Sequence, residues 1–124
     1  MNEEKLTTPL LIYMACPSRM ANQADKFQNL VVEQGHAPLN PFRALPYALF
    51  EGGLPGRKQT LEWCCRLIDV CDQMWLFGIS AGTLLEVQHL LDRGRRKDLR
   101  DFTHIYDDEV DTRRFELDRI LSSS

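Results

Sequence analysis

Residues 10–15 read Leu-Leu-Ile-Tyr-Met-Ala, apolar at every position and the length of one strand. A strand with one face in water alternates apolar and polar residues. An unbroken apolar run instead suits a strand covered on both faces, as in a parallel sheet. Met74–Phe77 is a second run of this kind, closed by Gly78. Two such strands require helices on both sides of one sheet, and the sequence between and after them has the matching periodicity. Beyond a turn at Cys16–Arg19, the positions Ala24, Phe27, Leu30 and Val31 share one helical face as far as about Gln34, and Gly35 ends that helix. Ala37–Asn40 reads as a short second strand stopped by Pro41. In Arg57–Cys71 the stripe Leu61, Cys64, Cys65, Ile68 and Cys71 marks another helix. Thr83–Arg93, ended by Gly94, is a third, with Leu84, Val87 and Leu91 inward. Phe102–Tyr106 is expected as a fourth strand and residues 112–121 as a last amphipathic helix.

Strands alternating with helices give parallel strands joined by crossovers. The expected fold is therefore α/β: a three-layer, doubly wound, mostly parallel sheet of four to five strands, flavodoxin- or Rossmann-like. The 124 residues form one domain, without repeat or linker, and residues 1–8 and 122–124 are expected to be flexible. Residues 41–57 hold Pro41, Pro46 and Pro55 and three glycines, with Phe42, Tyr47 and Phe50 among them, and fit no regular element. A long aromatic loop in so small a domain either serves a site or caps the core, and the residues leave both readings open.

Lys and Arg number 15 against 18 Asp and Glu, a net charge of −3, which gives no general reason to expect polymeric nucleic acid or a membrane surface as partner. The basic run Arg93–Lys97, with Arg100 beyond, reads as a solvated loop with cations near a helix C-terminus; a phosphate contact is the minor alternative. No signal peptide is evident, and no apolar stretch approaches membrane-spanning length, so a cytoplasmic location is expected. Cys16, Cys64, Cys65 and Cys71 show neither paired-ligand spacing nor a disulfide framework and read as small buried hydrophobes. No metal or organic cofactor is implied.

In an open parallel sheet, ligands bind beyond the carboxyl ends of the strands, where strand order reverses. The turns after the first three strands place Arg19, Asn40, Ser80, Gly82 and Thr83 around that crevice. Ser80-Ala-Gly-Thr-Leu-Leu-Glu86 has the residues of a small anion site: a helix start, a capping hydroxyl and free backbone N–H groups. Glu86, one turn into that helix, faces either solvent, the default for a charged helix residue, or the crevice. Asp72 stands at the amino end of the third strand, where an N-cap or helix-ending role is the plain reading.

At these residues the chain resembles the nucleoside 2-deoxyribosyltransferase superfamily, which includes the 2′-deoxynucleoside 5′-monophosphate N-glycosidases. The similarity runs from about Leu10 to Tyr106. Ile12-Tyr13-Met14-Ala15-Cys16-Pro17 is similar to the family's first strand, with Arg19 six residues after Tyr13. Gly35-His36 and Asn40-Pro41 resemble a paired motif of small relatives, and Cys71-Asp72 resembles the motif before the third strand. Ser80-x-Gly82-x-x-x-Glu86, followed by Gly94-Arg95, looks like the signature that carries the nucleophile. The resemblance implies that Glu86 attacks the anomeric carbon in retaining glycosyl chemistry. It implies that Asp72 positions Glu86 and the sugar or assists the leaving base, and that Tyr13 lies near the sugar. Ser80 and Arg19, with Pro17, Gly82, Thr83 and Asn40 around the ligand, then favour a nucleoside 5′-monophosphate over a nucleoside. A homo-oligomer is implied as well; Trp63, Trp75 and the final helix offer apolar surface for it or else pack in the core. The alternative reading is a non-catalytic nucleotide-binding or sensor domain of the same fold.

Overall fold

A computed structural model describes residues 8–123. The elements are β1 (Leu11–Ala15), a 3-10 stretch (Ser18–Gln23), α1 (Ala24–Glu33), β2 (Ala37–Leu39), α2 (Pro41–Ala44), α3 (Gly56–Val70), β3 (Gln73–Leu76), α4 (Ala81–Asp92), β4 (Leu99–Asp101), α5 (Thr103–Tyr106) and α6 (Val110–Ser122). The four strands form one all-parallel sheet in the order β2-β1-β3-β4. The chain thus builds outward from β1 in both directions, and strand order reverses between β1 and β3. The expected flexible ends fall outside the described residues at 1–7 and 124, while Ser122 closes α6.

The apolar run of β1 is explained by where its residues go. Tyr13 and Ala15 enter a core shared with Met74 and Leu76 of β3, Ile68 of α3, Val87 and Leu90 of α4 and Leu117 of α6. Ile12 and Met14 enter a second core on the opposite face, with Trp75, Phe77, and Phe27 and Val31 of α1. Helices therefore cover both faces, giving three layers. In the second core, Phe27 stacks on Phe77 at 4.2 Å between ring centroids and Tyr106 meets Phe27 edge-on at 5.0 Å. Such pairs are each worth about 0.5–1.5 kcal/mol beyond the area they bury. Trp75 belongs to this core and is no surface residue, whereas Trp63 is 40% exposed beneath the Arg66 guanidinium.

Two expectations need correction. The fourth strand is Leu99–Asp101, and residues 103–106 are helical. Asp101 Oδ1 accepts from both the backbone N–H and the hydroxyl of Thr103, turning the chain just after Asp101 pairs with Leu76. Phe102 and Tyr106 then face the second core at helical spacing, which a five-residue window read as a strand. Pro41–Ala44, expected to be irregular, is a short helix capped by Asn40 Oδ1, which accepts from Phe42 N at 3.0 Å.

Gly78, which ends the β3 segment, is a point of close approach. A Cβ there would lie 2.5 Å from Met20 Sδ and 2.8 Å from Pro17 Cδ and Cγ, so the turns after β1 and β3 touch across it. No helix among the described residues is long and apolar enough to cross a membrane.

Candidate functional site

At the carboxyl ends of β1 and β3, beside the point where strand order reverses, lies a cavity of about 360 Å³. That volume falls in the range of small-ligand sites. One wall is the start of α4. Ser80 caps this helix: its Oγ accepts from Thr83 N at 3.2 Å, and Thr83 Oγ1 accepts from Ser80 N at 2.8 Å. A cap of this kind stabilises a helix by about 1 kcal/mol. Among the described residues no group accepts from the N–H of Ala81 or Gly82, so the positive end of the α4 dipole is open.

Glu86 lies one turn further along α4 and is 6% exposed, on the helix face shared with Leu90 and Val87. It is also part of the cavity wall. Tyr13, in the middle of β1 and fully buried, donates its hydroxyl to Glu86 Oε2 at 2.6 Å. Burial pushes the Glu86 carboxyl up to about 7; the Tyr13 hydroxyl, the Cys64 thiol and the Arg57 charge act against that rise. The Tyr13 hydroxyl itself is held well above its ordinary value, first by burial and then by the Glu86 charge, so it remains a donor. Cys16 and Cys64, both on the wall, are pushed up to about 12, mainly by burial and next by Glu86. They are neutral, inert thiols.

The sequence named Glu86, Tyr13, Pro17, Ser80, Gly82 and Thr83, and these come together: five form the wall, and Tyr13 holds Glu86 from below. Asp72 does not join them. It sits before β3 at the opposite end of the sheet, where Oδ2 accepts from Leu11 N at 2.8 Å. Asn40 is buried and turned to α2 and to Gln28, beside the cavity but off its wall. Arg19 is bound by protein groups: Nη2 meets Asp107 Oδ1 at 2.6 Å, Nε meets Glu109 at 3.3 Å, and Nη1 donates to Ile79 O. The Asp107 side chain is 1% exposed and also accepts from Ile79 N at 2.8 Å. Arg19 is partly exposed, but its loss would leave the buried Asp107 carboxylate without this cation, so Arg19 acts as a strut under the turn after β3. Its guanidinium borders a second cavity rather than that of Glu86.

Arg57 was not singled out by sequence. It lies at the start of α3, close over the α4 N-terminus: a Cβ on Gly82 would meet Arg57 Nη2 at 3.4 Å and Ser80 Oγ at 3.8 Å. Arg57 pairs with Glu51 at 3.1 Å, both being partly exposed. An ion pair of that kind contributes about 0–1 kcal/mol, so either partner is readily exchanged. A signal for Arg57 did exist. In this topology every long helix starts at the carboxyl edge of the sheet, and Arg57 and Lys58 put cations at a helix start, which the dipole disfavours. Phe42 and Tyr47 reach the wall, which decides the reading of the 41–57 segment for those two residues, and Glu51 is its second carboxylate; Phe50 is not on the wall. No cluster of metal-binding side chains occurs among the described residues.

Compared with known proteins, the chain matches no family model, no curated sequence and no solved structure.

Proposed function

We propose that this domain cleaves the N-glycosidic bond of a nucleoside 5′-phosphate, with Glu86 as nucleophile. The observation that carries this reading is a buried carboxylate on the wall of a nucleotide-sized cavity, one helical turn from an open helix N-terminus. Phosphate and nucleophile sites are thereby held on one rigid element, α4. The resemblance of 80–86 to the nucleoside 2-deoxyribosyltransferase signature supports the same assignment.

In this mechanism the 5′-phosphate takes the N–H groups of Ala81 and Gly82 together with Ser80 and Arg57, whose guanidinium leaves Glu51. The base rests against Phe42 and Tyr47. The Glu86 carboxylate bonds to the anomeric carbon as the bond to the base breaks, and the base departs with a proton. Water then hydrolyses the glycosyl ester, releasing a sugar phosphate and restoring Glu86. Asp72, from its place at the far end of the sheet, cannot supply the proton, and Glu51 is the remaining carboxylate on this wall. The Tyr13 hydroxyl orients Glu86 and stabilises its ionised form. Only the ionised carboxylate is nucleophilic, and with its acidity near 7 Glu86 carries that form in about half of the molecules at neutral pH.

The test is release of free base, followed by chromatography, from a panel of ribo- and deoxyribonucleoside 5′-monophosphates, with Glu86→Ala beside the parent. Release by the parent and none by the variant is the expected outcome. No release from any substrate, together with a thermal shift by one of the nucleotides, replaces the glycosidase with a nucleotide-binding domain.

A further inference from the structure

A second cavity of about 290 Å³ adjoins the first and shares Pro17, Ser18, Arg57 and Ser80 with it. Its wall holds three guanidinium groups, Arg19, Arg57 and Arg113, against one carboxylate, Glu109. This is a local excess of positive charge on a chain of net charge −3. The three arginines are held differently. Arg19 is fixed to the buried Asp107 and also counters Glu109. Among the described residues, Arg57 pairs with Glu51 and also acts on the Glu86 charge, and Arg113 pairs with Glu116, one turn along its own helix at 2.8 Å. Both of those pairs are partly exposed and exchangeable. Two arginines able to change partner therefore face a polar cavity that continues from the α4 N-terminus, and they come from separate elements, α3 and α6. Guanidinium forks on separate elements match the oxygens of linked phosphates.

We infer that the second cavity is a subsite for a second phosphoryl group, so that the preferred ligand carries a pair of linked phosphates, as in a nucleoside 5′-diphosphate or its ester. The inference rests on the phosphate placement given under Proposed function and extends it. The first phosphate lies at Ser80 and Gly82, Arg57 bridges the two, and the second phosphate lies between Arg57 and Arg113. Arg19 shapes the wall without leaving Asp107.

Titration calorimetry with inorganic phosphate and inorganic pyrophosphate tests the subsite without turnover. The parent is expected to bind pyrophosphate at least about tenfold more tightly, in line with one further charge-assisted contact. Arg113→Ala, on the surface of α6, should abolish that preference while leaving phosphate affinity unchanged. Arg57→Ala should weaken both ligands. Arg96→Ala, in the basic loop distant from both cavities, should keep the preference, which separates a built site from general attraction of a higher charge. Equal affinity for the two anions in the parent, or an unchanged preference in Arg113→Ala, overturns the inference. A second arm compares matched nucleoside 5′-mono- and 5′-diphosphates: tighter binding of the diphosphate is expected, and preference for the monophosphate counts against the subsite. Base release is read separately, so a protein that prefers pyrophosphate but releases no base keeps the subsite and loses the glycosidase.

Discussion

Asp72 and Glu86 flank the same strand, one before β3 and one beyond it, and the two ends of the sheet use carboxylates in opposite ways. At the amino end, polar side chains meet backbone groups. Asp72 accepts from Leu11 N, His36 Nδ1 accepts from Leu10 N at 3.1 Å, and Arg95 donates to the carbonyls of Ile68, Cys71 and Asp72. These contacts close strand starts and the last turn of α3, where a cation also complements the helix dipole. At the carboxyl end, Glu86 accepts from the Tyr13 hydroxyl, has the Cys64 thiol beside it and forms part of the cavity wall. The amino end is stabilised by its polar groups; the carboxyl end bears the strain of a carboxylate whose acidity burial has reduced. A similar residue thus serves structure at one end of the strand and chemistry at the other, and position in the topology decides which.

The sharpest way to break this contrast is Glu86→Gln. Base release should fall to background while stability at alkaline pH increases. The Glu86 acidity lies near 7 in the folded chain against an ordinary value of 4.5, so the folded state holds a proton that the unfolded state has lost. Stability is then full below pH 4.5 and is lost as the pH rises toward 7, by up to about 3 kcal/mol. Urea unfolding at pH 5 and pH 8 should show that decline in the parent and a flat response in the variant. A parallel decline in both would remove Glu86 as its source.

Tyr13→Phe should have the next largest effect. A hydrogen bond to a charged group is worth about 1.5–3 kcal/mol, which corresponds to a loss of roughly 10- to 100-fold in kcat/KM. Because the lost bond favours the ionised form, the acid limb of the pH–rate profile should also move above pH 7. A rate loss without that displacement would leave Tyr13 a packing residue. Asp72→Asn should have the smallest effect on turnover, within about twofold, and should cost about 1 kcal/mol of stability through the weakened contact with Leu11. Full loss of turnover in a folded Asp72→Asn protein would put chemistry at the amino end and end the contrast.

Sequence revealed the parts of the fold whose pattern is long. The doubly buried runs, the helical stripes and the closing glycines are legible because core burial imposes a period; Gly35 and Gly94 both have positive φ. The misplaced fourth strand shows the limit. Leu99–Asp101 owes its pairing to β3 rather than to its own composition, and its last two residues are exposed. In the site, Ser80, Gly82 and Thr83 were legible because they occupy one helix start, where spacing fixes geometry, whereas the residues left the direction of Glu86 open and only the resemblance pointed it into the crevice. Arg57 showed only as a cation at a helix start and Glu51 not at all, since nothing in a local pattern brings the start of α3 over the start of α4. Arg19 stood at the right turn, but its commitment to Asp107, 88 positions along the chain, is a tertiary fact.

Gly78 has no functional group, and its consequence is for what the domain can become. The wall residues of the cavity are side chains that exchange without moving the main chain, so the choice of ligand can drift by ordinary substitution. A single methyl at 78 would instead wedge Pro17 and Met20 away from β3 and open the seam between the two turns that frame the site. In a deep mutational scan, the narrowest tolerance around this crevice should therefore fall on a residue that touches no ligand.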